Sequence, residues 1–225
     1  MKISSNTLTV LKNFASINSN LVIDAGSTIK TISEPKTILG VARVSEKFDK
    51  KIGIYDLNRF LSLIGLFNDP TLDFKDDHVV ISSSEKSCHI GYSEPSILTY
   101  PAKDISLPAN DVEVAVTQSH LNEIFKAAGI FRFSKIRIQS TGNGQPTTIS
   151  VFDDGDQDGD DFKITLDHKT EKTFDIHFSI SNLKLIPGDY KVSISSKFIS
   201  KWESKSTALD IHYFVAVDKT STFGE

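Results

Sequence analysis

Apolar and polar side chains alternate in short runs along most of the chain, as in Lys135-Ile136-Arg137-Ile138-Gln139. Gly, Pro, Asn, Asp and Ser punctuate the runs roughly every 8–12 residues. This pattern predicts many short strands, each with one buried and one wet face. In the first half they fall at Leu21–Ala25, Thr28–Ile32, Thr37–Val44, Ile52–Tyr55, Thr71–Phe74, Val79–Ser83 and Cys88–Tyr92. In the second half they fall at Val112–Val116, Lys135–Gln139, Thr147–Phe152, Phe162–Leu166, Thr173–Phe178, Tyr190–Ser195 and Leu209–Val217.

Four segments carry a helical period instead. Leu8, Leu11 and Ala15 recur behind Ser4 or Ser5 as a cap. Leu57, Phe60, Leu61 and Ile64 follow Asp56, and Leu121, Ile124, Phe125 and Ala128 follow Thr117. The fourth is a stub, Ile180 to Leu185, started by Ser179 and stopped by Pro187-Gly188. These are two pairs. A shift of 113 residues lays Leu8, Leu11, Ala15 and Ile17 on Leu121, Ile124, Ala128 and Ile130. A shift of 123 lays Asp56-Leu57 and Phe60 on Ser179-Ile180 and Leu183. Each half therefore reads strand, helix, several strands, helix, several strands, an α+β duplication. Pro101 to Asn110 holds two prolines and neither period, so it reads as an extended connector. The expected domains are 1–102 and 112–225, joined through 103–111.

A chain of 225 residues has room for one large or two small domains. A single cysteine, Cys88, excludes a disulfide scaffold or a Cys-rich zinc module and suits a reducing compartment. No apolar run approaches the ~20 residues of a membrane span, and MKISSNTLTV has no signal-peptide character. The expectation is a soluble intracellular protein with no membrane partner. A formal net charge of −4 argues against nonspecific nucleic-acid glue, but not against cations confined to one surface.

The chemical motifs are weak. Asp154-Gly-Asp156-Gln-Asp158-Gly159 opens like an EF-hand loop, yet Thr165 stands where the bidentate Glu belongs, and the flanks read as strands. Cys88 and His89 are strand neighbours whose side chains diverge. The histidines show no metal-ligand spacing. Thr141-Gly-Asn-Gly144 lacks the Lys-Ser/Thr ending of a phosphate loop and reads as a hairpin turn. No catalytic residue, metal site or cofactor is expected. What remains is a pattern of charge: Lys12, Arg59, Lys126 and Lys184 fall on the helical segments, whereas acids crowd into loops such as 73–77 and 153–161. A basic helical surface on an acidic body suits a polyanion.

Three sets of residues carry a family resemblance. Leu11-Lys-Asn-Phe-Ala-Ser-Ile-Asn-Ser19, Ile54-Tyr-Asp-Leu-Asn-Arg-Phe-Leu61 with Asn68-Asp69, and Pro187-Gly-Asp-Tyr-Lys191 with Tyr213-Phe-Val-Ala-Val217 resemble the sliding clamps of T-even-type bacteriophages, the DNA polymerase processivity factors. The resemblance runs from Met1 to the last strand, and is loose over 75–101 and 141–172. It implies two duplicated DNA-clamp domains, each with two helices on antiparallel sheets, and three copies closed head to tail into a ring. It also implies a phage-encoded, non-enzymatic protein of the host cytoplasm. Its partners would be duplex DNA held without sequence preference, a replicative DNA polymerase, a clamp-loader ATPase and late-transcription factors. Lys12, Arg59, Lys126 and Lys184 would face the hole, with Lys2, Arg132 and Lys135 at its margin. Glu123 in the third helix makes the channel less basic than the family norm. Cys88–Tyr92 would pair with Phe162–Leu166 of a neighbour, with Ile90, Tyr92, Phe162 and Ile164 as apolar contacts. A partner-peptide pocket would draw on Ile105 and Leu107 of the connector, Tyr213, Phe214 and Val217 of the last strand, and Ile38 and Leu39. The alternative from a different class is a non-encircling adaptor that uses the same fold to bind peptides.

Overall fold

The computed structural model describes residues 1–154, 159 and 161–224, so the calcium-loop motif lies largely outside the described residues. Helix α1 spans Ser5–Ile17 and begins where the Ser4 hydroxyl accepts the Thr7 N–H. Val10, Leu11, Phe14 and Ile17 are its buried stripe. After it come β1 (Leu21–Ile23), β2 (Gly26–Ile32), β3 (Ile38–Phe48), β4 (Ile52–Ile54) and α2 (Leu57–Ile64). β1 pairs with β4 and β2 with β3, both antiparallel. Phe14 lies directly over Gly40 of β3, where a Cβ would come within 2.7 Å of the ring. β3 extends past its predicted end because Glu46 is buried rather than solvated. Its carboxylate accepts the Ser4 N–H and the Thr7 hydroxyl, closing the first turn of α1 from the neighbouring strand. Burial opposes the charge on Glu46, but hydrogen bonds from Thr7 and Ser4 outweigh it and hold the carboxyl below its ordinary pKa.

Asp56 caps α2 by accepting the Arg59 N–H at 2.9 Å; α2 packs on α1 and buries Leu57, Phe60 and Ile64. A three-stranded sheet follows, β5 (Thr71–Phe74), β6 (His78–Ser82) and β7 (Ser87–Gly91), in that order. The backbone of Met1 pairs with Leu72, the Leu72 N–H donating to the Met1 carbonyl at 2.8 Å and the terminal amine returning to the Leu72 carbonyl at 2.7 Å. The chain's start thus lies along the outer edge of β5, whereas β7 pairs with β6 alone. These elements form one compact unit, Met1–Asp104 with Thr207–Ile211.

The second unit, Ile105–Ser206 with His212–Glu225, opens with β8 (Val112–Val116) and α3 (Gln118–Phe131). Thr117 and His120 exchange hydrogen bonds in a capping box at the start of α3. The first residues of α1 and α3, Ser5 and Gln118, stand 113 positions apart, the shift read from the sequence. Strands β9 (Lys135–Thr141), β10 (Gln145–Phe152), β11 (Phe162–Thr170) and β12 (Thr173–Ser179) follow, with α3 packed on β10 and β11. Positive φ at Gly142, Asn143 and Gly144 makes the Thr141–Gly144 motif the β9–β10 hairpin turn. The stub expected at 180–185 is a single 3-10 turn, Ile180–Asn182, with no side-chain cap. So short a segment offsets little of the cost of helix nucleation.

Next come β13 (Tyr190–Ser195), β14 (Ile199–Ser204), β15 (Asp210–Ala216) and β16 (Thr222–Phe223). β8, β13, β14 and the His212–Ala216 part of β15 pair in that order. The other sheet runs β11-β10-β9-β12-β16, so the C-terminal strand lies along the outer edge of β12, and β11 pairs with β10 alone. Strand β14 escaped the pattern because its buried face reads Ser200 and Trp202. The Trp202 indole donates to the Ser200 hydroxyl at 3.0 Å, and that hydroxyl donates to the Val215 carbonyl at 2.9 Å. No helix is long and apolar enough to cross a membrane, and among the described residues no group of three acids, histidines or cysteines is placed to hold a metal ion.

Candidate nucleic-acid interface and partner surfaces

In the first unit, the polar faces of the packed helices α1 and α2 carry Lys12 and Arg59, both exposed. Neither helix contains an Asp or Glu; the other exposed positions are Ser5, Asn6, Thr9, Ser16, Asn58 and Ser62. Elsewhere in this unit some lysines pair with acids: Lys50 with Asp76 at 2.6 Å, Lys51 with Asp24 at 3.0 Å, Lys75 with Asp73 at 2.5 Å, and Lys30 with Asp104. Among the described residues Lys12 and Arg59 have no such partner. About half of the cations on the strands and loops of this unit are neutralised, while Arg43, Lys47 and Lys86 stay exposed and unpaired among the described residues like Lys12 and Arg59; what sets the two helices apart is that they carry no acid.

The remaining predicted cations differ. Lys2 pairs with Asp69. Lys126 is exposed on α3, without an ion pair among the described residues, and shares the helix with Glu123. Arg132 ends α3 in the left-handed region, φ +62°, and is exposed. Lys184 is exposed just beyond the 3-10 turn. Lys135 is held by two carboxylates, Asp154 at 2.5 Å and Asp218 at 3.0 Å, with only 17% of its side chain accessible. Those bonds raise its pKa, and Asp218 is drawn down to about 2, first by the Thr220 N–H and then by Lys135. Lys135 is thus engaged locally in joining the start of β9 to the chain that follows β15.

Each unit also offers an unpaired strand. Ile90 and Tyr92 sit half-buried at and just after β7, and Phe162 and Ile164 half-buried on β11. Both strands are sheet edges whose outer backbone groups have no ladder partner among the described residues. Beside β7 lies a cleft of about 300 Å³ whose lining includes Ile54, Tyr55, Arg59, Phe60, Ile90 and Tyr92. The Tyr92 hydroxyl is buried with no hydrogen-bond partner among the described residues, and burial, aided by Asp73, Asp77 and Asp76, pushes its pKa up to about 12. Sequence reasoning missed this cleft. Its one signal was Tyr55, a large aromatic residue 66% exposed between a strand and a helix. Cys88 and His89 diverge as expected, and His89 stacks on His78 across the hairpin at 5.3 Å.

The predicted pocket residues are not equally accessible. Ile105 is 43% exposed and Leu107 half-exposed. Phe214 and Val217 are each only 5% exposed. Tyr213 is wholly buried; its hydroxyl accepts the Ile186 N–H at 3.2 Å, while the Tyr190 hydroxyl donates to the Ile186 carbonyl at 2.5 Å. Burial pushes both phenols far above their usual range. Tyr213 therefore belongs to the core. Ile38 and Leu39 are buried in the first unit, and the other five residues belong to the second.

Solved structures superpose on nearly all of this chain. Proliferating cellular nuclear antigen from Entamoeba histolytica matches 95% of each chain with a TM-score of 0.67 and 17% identity. The A. fulgidus PCNA, solved with the C-terminal region of FEN-1 bound, matches 96% of each at 0.69 and 13% identity. This is the DNA-clamp fold. The H. pylori beta clamp matches 97% of this chain and 66% of its own at 0.73, with 11% identity, so the fold covers about two thirds of that longer clamp. No family model matches the sequence. In sequence, this clamp-fold chain is similar from end to end to the sliding clamps of T-even-type phages. The Vibrio phage KVP40 sliding clamp is 28% identical over 223 residues, 97% of this chain and 99% of that one. The Escherichia phage RB69 sliding clamp is 27% identical over 231 residues, 99% of each.

Proposed function

We propose that the chain is a processivity clamp. Three copies associate head to tail into a ring around duplex DNA and hold a replicative polymerase on its template in the host cytoplasm. A clamp-loader ATPase opens and closes the ring, and the clamp itself performs no chemistry. The observation that carries this reading is the similarity, along the whole chain, to phage sliding clamps, with Lys12 and Arg59 exposed on two helices that hold no acid. Lys12, Arg59, Lys126, Arg132 and Lys184 contact phosphates, a sequence-independent, salt-weakened interaction that lets a ring move. Lys2 and Lys135 sit at the margin, already engaged with acids.

The open edges of β7 and β11 support closure by strand addition, Ile90 and Tyr92 of one copy meeting Phe162 and Ile164 of the next. The FEN-1 region on the A. fulgidus clamp supports a partner-peptide site here too, reached through Ile105 and Leu107 of the connector, 103–111, between domains 1–102 and 112–225. Late-transcription factors are further partners of the same surface. Native mass spectrometry at tens of micromolar tests the reading. A species of three times 24.9 kDa is expected, retained on closed circular DNA by the cognate loader and released on linearisation. Monomer alone, or retention indifferent to linearisation, would leave a non-encircling adaptor.

A further inference from the structure

The cleft of about 300 Å³ beside β7 lies wholly within the first unit. It stands at the lower limit of small-molecule sites and exceeds the ~150 Å³ that accepts a benzene ring. That is room for one planar heterocycle. Tyr55, Phe60, Ile90 and Tyr92 supply aromatic and apolar walls. Tyr55 is 66% exposed, so packing does not account for it. The Tyr92 hydroxyl is the reverse, buried with no hydrogen-bond partner among the described residues. Buried hydroxyls are almost always paired, so a polar atom from outside the chain fits there.

The charge around the cleft divides by sign. Arg59, exposed and without an acidic partner among the described residues, is its permanent cation. The Asp56 carboxylate also lines it, but is committed to the Arg59 N–H as the cap of α2. Burial, then the field of Asp73, Asp77 and Asp76, keep the Tyr92 phenol protonated. A phosphate is therefore drawn to Arg59 and repelled from Tyr92. An uncharged ring with a carbonyl or ring-nitrogen acceptor suits the Tyr92 hydroxyl.

We propose that this cleft takes one unpaired nucleobase together with its phosphate. The base stacks on the Tyr55 ring and accepts a hydrogen bond from the Tyr92 hydroxyl, and the phosphate meets Arg59. Aromatic platforms beside cations bind single strands in this sequence-tolerant way. A base inside a duplex is already stacked and paired. The site therefore answers to a single strand or a free nucleotide, and is separate from the duplex contacts proposed above. It stands whether or not three copies form a ring. A neighbouring copy seated on Ile90 and Tyr92 would compete with the base for the cleft.

The probe is fluorescein-labelled single-stranded tetrathymidylate, titrated into the whole protein and read by anisotropy. Wild type and Ile164→Asp are both used; residue 164 lies on β11, outside the cleft, so a closed seam cannot hide the site. A dissociation constant below roughly 1 mM is expected at low salt. A tetramer of abasic units, equal in charge, should bind at least about fivefold more weakly, as should the thymidylate to Tyr55→Ala. Tyr92→Phe should bind it at least about twofold more weakly, while its melting temperature does not fall, because the lost hydroxyl leaves no partner unpaired. Amide chemical shifts should move at Tyr55, Ile90 and Tyr92, and a hairpin duplex should leave them in place. Thymidine 5′-monophosphate should move the same amides; affinity matching the tetramer's assigns a free nucleotide as the source, and weaker binding assigns a strand. No binding to either form, equal binding of the abasic tetramer, undiminished affinity in folded Tyr55→Ala or Tyr92→Phe, equal shifts with the duplex, or shifts confined to another surface would each overturn the proposal.

Discussion

Replacing Glu46 by Gln tests how the first helix is held in place to present Lys12. The wild-type carboxylate is 8% exposed and accepts two hydrogen bonds across the helix–strand boundary, from the Ser4 N–H and the Thr7 hydroxyl. A hydrogen bond to a charged acceptor contributes about 1.5–3 kcal/mol, against about 1 kcal/mol for a neutral one, so two such exchanges cost about 2 kcal/mol. The lost negative charge at the helix N-terminus adds roughly 0.3–1 kcal/mol. At 2–4 °C per kcal/mol for a chain of this size, Tm should fall by about 5–12 °C at pH 7. The pH dependence follows from linkage. The folded carboxyl titrates below its ordinary 4.5, so its stabilisation is complete above that value and disappears as pH falls through the lowered folded pKa. Wild type and Glu46→Gln should therefore converge in acid, and amide exchange at the start of α1 should be faster in the variant at neutral pH only. Equal Tm at pH 7, or a gap that persists undiminished to pH 3, would refute this account of the cap.

Other expectations address the proposed surfaces. Lys12→Glu/Arg59→Glu/Lys126→Glu should keep its oligomeric state and melting curve but lose salt-sensitive retention on DNA, each phosphate contact removed lowering the slope of log K against log salt by about 0.9. Ile164→Asp should shift native mass spectra toward monomer without altering the far-ultraviolet circular dichroism, because it changes a half-exposed position on an edge strand. Leu107→Ser should weaken a partner peptide in a titration and leave stability unchanged. Phe214→Ala, by contrast, should cost about 3–5 kcal/mol in denaturant unfolding, since its side chain is almost wholly buried. Tyr213→Phe leaves the Ile186 N–H without its acceptor and should cost about 1–3 kcal/mol, read in the same unfolding experiment.

Helices α1, α2 and α3 were legible because their caps and apolar stripes agree: Ser4, Asp56 and Thr117 each accept a backbone N–H just ahead of a periodic run. Thr71–Phe74, Val112–Val116 and Tyr190–Ser195 fall where the alternation put them. Strand β14 was illegible for a physical reason. Its buried Ser200 looks like a solvated position until the Val215 carbonyl and the Trp202 indole supply its partners. Glu46 hid the end of β3 in the same way. The cations on the helices were visible in the sequence, but which cations pair with acids was not, because Lys50–Asp76 and Lys135–Asp218 are matched only by folding. Alternation puts one of Tyr213 and Phe214 in the core and the other on a wet face, whereas both residues of β15 are covered.

The two ends of the chain have a role beyond finishing the fold. Met1 lies along β5 and β16 along β12, so each of the two sheets that carry a proposed seam has one border sealed by a terminus and the other left bare. In a polymer chemist's terms, each of these two sheets is monofunctional, and the seam proposed above would make the chain an A–B monomer through β7 and β11. Through these two sheets such a monomer links linearly or closes on itself. Trimming either terminus would bare a second border and raise the functionality of one sheet, so cross-linking should compete with the ring closure proposed above.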